Sequence, residues 1–288
     1  MSNRNKGIVL LLLSGFGFAI MAAFIKLSGD LPTVQKTLFR NVVSCIIAFG
    51  MVVYYRERFF GKRENQKWLI LRSGFGLIGV VLYFYSIDHL ILSDAEMLNK
   101  LSPFLLIIFA AIFLKEKIQA YQLIAVFVAF SGTLFIIKPS LNFDIIPYLA
   151  GIFGAVFAAL AYMILRVLGS REKSYTVVFY FSFFSVIAML PFVWFSYKPM
   201  TQLQFIYLLL AGLFATLGQF GVTMAYKYAP AREISIFFYS TVVFAAILSI
   251  VMFQQLPDLL SLVGYFIIFS ASYYIFAKQK KMPQENES

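Results

Sequence analysis

The fold class predicted for this 288-residue chain is an all-α integral membrane bundle, with ten transmembrane helices arranged as two inverted five-helix repeats. Three observations predict it. Hydrophobic residues make up 61% of the chain and charged residues 13%, with a mean hydropathy of +0.84, whereas soluble domains are about half apolar and about a quarter charged. Apolar runs recur along the whole length at the roughly 20 residues that a helix needs to cross a hydrocarbon layer. The chain also resembles itself at an offset of 139 residues.

The first run follows Arg4 and Lys6 and extends from Gly7 to Ile25. Its apolar length exceeds the roughly 7–15-residue core of a cleaved signal, so a retained helix near 7–28 is expected. Helix two is expected at 33–54, before a polar loop carrying Arg56, Arg58, Lys62, Arg63 and Lys67. Helices three, four and five follow at 68–87, 93–114 and 120–137, with Lys115 and Lys117 between the last two and Lys138 closing the first half. Helices six and seven, at 147–166 and 175–196, are separated by Arg166, Arg171 and Lys173. Helices eight, nine and ten are expected at 203–226, 234–253 and 258–276, with Pro230 marking a loop boundary because a proline disfavours helical geometry just before it. The units are therefore 7–138 and 147–276, followed by a polar, mobile tail at 277–288.

Charge placement sets the expected orientation. With the N-terminus inside, 17 of the 24 lysines and arginines fall in cytoplasmic segments, whereas only Lys26, Lys36, Lys138 and Lys198 fall outside. That bias places both termini in the cytoplasm of a plasma membrane, read as a prokaryotic inner membrane. The formal charge of +11 is thus a topology signal and no nucleic-acid partner is expected, since that would require a basic face on a soluble module. The lone Cys45 excludes an internal disulfide, and with His89 as the single histidine no metal or other cofactor is expected. The same scarcity of nucleophiles, bases and clustered carboxylates argues against an enzyme.

The repeat is carried by residues 15–26, which lie over 154–165 with five of twelve positions identical. The same offset lays helices four and five on nine and ten, with Leu123 on Leu262, Phe127 on Phe266 and Ser131 on Ser270. Five spans per unit is an odd number, so the second copy enters the membrane from the opposite side. Inverted halves can exchange conformations and open a midplane site to either face in turn.

Leu38, Phe39, Arg40 and Asn41 on helix two, the stretch Leu71 to Gly76 opening helix three, and the stretch Ser93 to Pro103 running on to Phe113, Leu114, Lys115, Glu116 and Lys117 resemble the drug/metabolite transporter superfamily, in its EamA-like branch. Ala225 to Ala231 is similar to that family's link between helices eight and nine. The second copy departs from the pattern at Val242, where the first has Pro103, and at Phe253, Gln254 and Gln255. The resemblance implies ten helices, two five-helix units, and transport of metabolites such as amino acids and their derivatives.

Ionisable groups inside a span cost about 2.5–3.5 kcal/mol each on insertion scales and usually face a cavity or a partner. Arg40, Glu96 and Lys100 are the ones singled out, and on helix four Glu96, Asn99, Lys100 and Pro103 share one face by their spacing. Arg40 and Lys100 each lie seven residues past the start of their helix, at one depth of about 10 Å. With Glu96 they leave an excess of one positive charge, which favours a carboxylate-bearing, zwitterionic metabolite as the small-molecule partner. Glu96 either balances charge or couples protons, and an ion pair with Lys100 that merely neutralises itself is the plainer alternative.

Tyr162, Gln219 and Tyr239 are the polar-tipped residues expected to line the same cavity on helices six, eight and nine. Asp94 is expected to be a solvated acid at the outer boundary, with Arg232 and Glu233 similar at the inner one. The glycines Gly15, Gly17, Gly74, Gly76, Gly79, Gly151 and Gly154 are read as packing positions, and the G-x-G-x-x-G of 74–79 fails as a dinucleotide site because no strand precedes it. The function expected is alternating-access transport of a small metabolite through a lipid bilayer, with a non-transporting receptor or assembly protein as the alternative. Substrate, direction, coupling ion and oligomeric state are left open.

Overall fold

A computed structural model describes residues 2–115, 118–137, 145–168, 171–228 and 234–281. The helices are α1 (Asn3–Leu27), α2 (Thr33–Tyr54), α3 (Gln66–His89), α4 (Leu92–Asn99), α5 (Ser102–Leu114), α6 (Ala120–Ile137), α7 (Ile146–Leu168), α8 (Ser174–Ser196), α9 (Gln202–Tyr228), α10 (Ser240–Phe253) and α11 (Leu259–Lys281). Short 3-10 turns at Arg63–Asn65 and Ser235–Tyr239 lead into α3 and α10. Ten helical segments are long and apolar enough to span a membrane, the fourth joining α4 to α5. No strand occurs among the described residues. Glu116, Lys117, Lys138, Asp144, Pro230, Arg232, Glu233 and the tail past residue 281 lie outside the described residues.

Boundaries follow the sequence expectation within a few residues, with two corrections. The last helix runs on to Lys281 rather than stopping near 276. Helix four is not continuous: Lys100 and Leu101 form a turn between α4 and α5. Pro103 has no amide hydrogen to donate to a carbonyl one turn back, and its ring crowds that turn, so it sits in the first turn of a new helix instead.

The packing exchanges the two halves. α1 lies along α9 and α3 lies along α7, which are equivalent pairs under the 139-residue offset. α2 on α8 and α6 on α11 are pairings of a helix with its own counterpart, while α4 packs on α10, whose own counterpart is α5. Local backbone obeys the same offset. Lys115 ends α5 with φ of 57°, and Gln254, 139 residues later, ends α10 with φ of 54°, both in the left-handed conformation that closes a helix.

Small residues set the spacing of these pairs. A Cβ on Gly79 would meet the Gly154 carbonyl at 3.2 Å, and one on Gly17 would meet the Gly218 amide at 3.1 Å. Both crossings are backbone on backbone, the close approach that brings membrane helices together in the absence of a hydrophobic drive. Around them Ala19, Ala22, Ala23, Ala155, Ala159, Ala211 and Ala215 form the core with Phe84 and Ile87. The outward faces match as well: Phe127 is 69% exposed and Phe266 73%, while Leu123 and Leu262 are 45% and 48% exposed. These are lipid-facing positions of α6 and α11, where apolar side chains belong on the outside.

Candidate functional site

The breaks in the fourth and ninth spans bring the two repeats together. The turn at Lys100 releases its carbonyl from the helical ladder, and the Tyr239 hydroxyl donates to it at 3.3 Å. Lys100 and Tyr239 are themselves 139 residues apart, so equivalent positions meet where the halves meet. A freed backbone carbonyl at membrane depth needs such a partner.

Glu96, Lys100, Arg40 and Arg72 are ionisable groups buried within the spans. Glu96 is 1% exposed, Lys100 4%, Arg40 3% and Arg72 7%. Tyr83 on α3 donates its hydroxyl to Glu96 Oε1, and Lys100 Nζ lies 4.0 Å from Glu96 Oε2 and 3.9 Å from the centre of the Phe238 ring. The ion pair weighed from sequence is thus present, though long. The expected shared face is interrupted after Asn99, because Lys100 already belongs to the turn; Asn99 itself is half-buried at the end of α4.

Arg40 Nη1 donates to the Asn41 side-chain oxygen at 2.8 Å, and Asn41 Nδ2 in turn donates to the Thr37 carbonyl at 2.9 Å. This chain of bonds fixes the guanidinium against α2, leaving Arg40 Nε without a partner. Arg72 was not among the site candidates. Its guanidinium lies over the Phe181 ring, 4.3 Å from the centroid, and turns toward Gly76, where a Cβ would sit 2.8 Å from Arg72 Nη1. The glycine read as a packing position thus vacates room for a cation. Tyr162 on α7 lies close enough to feel the charges of Arg72, Arg40 and Glu96, yet it keeps 41% of its surface accessible. Gln219 is half-buried on α9, next to the Gly17–Gly218 crossing.

A second set of charges occupies the end of the bundle where α1 finishes and α2 begins. Lys36 Nζ pairs with Asp88 Oδ1 at 2.6 Å, and Lys26 donates to the Leu90 carbonyl with Asp88 and Asp94 near its charge. Asp94 is the clearest correction to the sequence reading: expected to be solvated, it is 2% exposed and accepts a 2.6 Å hydrogen bond from Tyr265 on α11. Depth along a helix can be counted from sequence, but burial depends on which neighbours close over it. Here α11 does. Among the described residues no group of three His, Cys, Asp or Glu could hold a metal ion.

The comparisons with known proteins agree with this architecture. A family model described as the EamA-like transporter family matches twice, at residues 5–138 and 145–277, one match per repeat. The pseudopaline exporter CntI of Pseudomonas aeruginosa is 31% identical over 270 residues, covering 92% of this chain and 93% of that protein. Solute carrier family 35 member G1 of Homo sapiens is 28% identical over 267 residues, covering 87% of this chain and 73% of that protein. One crystal structure superposes with a TM-score of 0.67 over 96% of this chain and 99% of its own at 12% identity, which shows a shared fold. With two matched units, ten spans and transporters as relatives, the chain is a membrane transporter, not an enzyme, and belongs to the EamA-like transporter family.

Proposed function

We propose that this transporter carries a small organic metabolite bearing a carboxylate, an amino acid or a related zwitterionic compound, by alternating access at the junction of the two repeats. The observation that carries the reading is a surplus of buried cations, Arg40, Arg72 and Lys100 against Glu96: Lys100 sits at the paired helix breaks where Tyr239 meets it, and Arg40, Arg72 and Glu96 all act on Tyr162. Substrate contacts fall to Arg40, Glu96, Asn99, Lys100, Tyr162, Gln219 and Tyr239. Arg40 and Lys100 receive the anionic group, while Glu96 balances charge or takes a proton. The end carrying Lys36 and Asp88 faces outward and both termini face the cytoplasm of the cell membrane, in keeping with the lysine and arginine bias. One named relative is an exporter, which favours outward movement of the solute.

The test begins with a panel of amino acids and small carboxylates screened for thermal stabilisation of the purified protein, since a ligand that binds the folded state raises its apparent stability. The best stabiliser is then followed in proteoliposomes. The reading requires saturable flux and counterflow; flux that never saturates, or a panel in which no carboxylate stabilises, overturns it.

A further inference from the structure

Arg72 has no structural debt that it settles. At 7% exposed it is more than nine-tenths buried, and its Nε and Nη1 have no hydrogen-bond partner. Arg40, at 3% exposed, is left with an orphaned Nε as well. Neither arginine takes part in the ion pair of Lys36 with Asp88 or in that of Lys100 with Glu96. Glu96, which acts on Tyr162 as both arginines do, is already engaged by Tyr83 and Lys100. Buried guanidinium donors without acceptors are costly, and a protein retains them where a ligand supplies the acceptors.

The position is also built. Phe181 covers one face of the Arg72 guanidinium at 4.3 Å, and the absence of a side chain at Gly76 gives its Nη1 the space it occupies. Arg40 is oriented independently by Asn41. Tyr162, with its accessible surface, lies near both. Two planar forks held by separate partners suit two anionic groups on one molecule better than one compact anion, because each fork matches a carboxylate in a bidentate manner. Charge counting agrees: Arg40, Arg72 and Lys100 against Glu96 leave two positive charges, which a dianion neutralises and a monoanion does not.

Resting on the carrier reading above, we propose that Arg72 forms a subsite for a second anionic group beside the one that Arg40 receives, so that the transported solute carries two carboxylates, one for each guanidinium. The test uses protein in lipid nanodiscs with four probes, succinate, glutarate, butyrate and inorganic phosphate, against wild type, Arg72→Gln and Arg72→Lys. Succinate or glutarate should raise the melting temperature at concentrations where butyrate does not. Arg72→Gln should weaken that dicarboxylate's binding ten-fold or more, and Arg72→Lys should weaken it less, since lysine keeps the charge and loses the fork. If Arg72→Gln does not fold, the loss is read from Arg72→Lys and Arg40→Lys, each expected to weaken the dicarboxylate and not butyrate. The proposal is overturned if phosphate stabilises and neither dicarboxylate does, if butyrate binds as well as the dicarboxylates, if none of the four binds, or if the arginine variants bind the dicarboxylate as wild type does. Counterflow separates the two readings: a dicarboxylate that binds through Arg72 without counterflow contradicts the carrier and upholds the subsite, whereas carriage unaffected by Arg72→Gln does the reverse.

Discussion

The charges at the α1–α2 end and the buried charges of Arg40, Arg72, Lys100 and Glu96 differ in balance: the first are matched two against two and the second are not. At the end, Lys26 and Lys36 face Asp88 and Asp94, and the acids are further bonded by Lys36 and Tyr265. Of Arg40, Arg72, Lys100 and Glu96, three are cations and one is an acid, and that acid pairs with Lys100. Neutral clusters hold helices together, because each charge has a partner that offsets part of its desolvation. An unbalanced set of buried charges costs stability and persists where a ligand completes it. On the function proposed above, the difference is that between a structural closure and a binding site.

The largest expected effect comes from breaking the balanced cluster. Asp88→Asn leaves Lys36, whose side chain is 0% exposed, as an uncompensated buried cation. A loss of about 3–5 kcal/mol is expected, read as a fall in melting temperature in nanodiscs. Lys36→Met added to Asp88→Asn should recover most of it, and a double variant no better than the single one would show that the pair is not the source. Glu96→Gln sharpens the other side by raising the junction's surplus by one charge and weakening the bond from Tyr83. It should cost about 2–3 kcal/mol, measured by the same thermal unfolding.

Smaller effects probe how the junction is held. Gly76→Ala puts a Cβ 2.8 Å from Arg72 Nη1 and 3.1 Å from the Phe181 ring. The guanidinium must shift, at a cost of about 1–3 kcal/mol typical of overpacking, and dicarboxylate binding should weaken even though no polar group is removed. Retained binding would place the subsite elsewhere. Tyr239→Phe removes the donor to the Lys100 carbonyl. That change should cost about 1 kcal/mol and slow counterflow more than it weakens binding, because the contact joins the two halves.

Much of this was legible in the chain. Span length, the charge bias and the 139-residue offset are properties of periodic apolar sequence, and the matched left-handed caps at Lys115 and Gln254 follow that offset without any identity between the residues. The Glu96–Lys100 spacing was legible because i and i+4 meet on any helix. What escaped depended on lateral packing. Asp94 is buried because Tyr265 from a helix 171 residues away closes over it. Arg72 lies six residues into α3, where a depth count alone places it near a boundary. Only Gly76, one turn on, and Phe181, from another helix, give its guanidinium the buried place it takes. An arginine followed four residues later by glycine inside a span is the signal that could have found it. Pro103 was visible, yet its consequence, a turn with a carbonyl free to meet Tyr239, required the partner repeat.

The comparison reduces to the sign of two substitutions measured side by side. Thermal unfolding of Asp88→Asn and Arg72→Gln, in the same lipid and without added ligand, tests it directly. The account predicts that Asp88→Asn lowers the melting temperature, whereas Arg72→Gln leaves it unchanged or raises it by relieving repulsion between Arg72 and Arg40. If both substitutions lower it by similar amounts, Arg72 is a structural residue like Asp88, and the junction is not a site waiting for an anion.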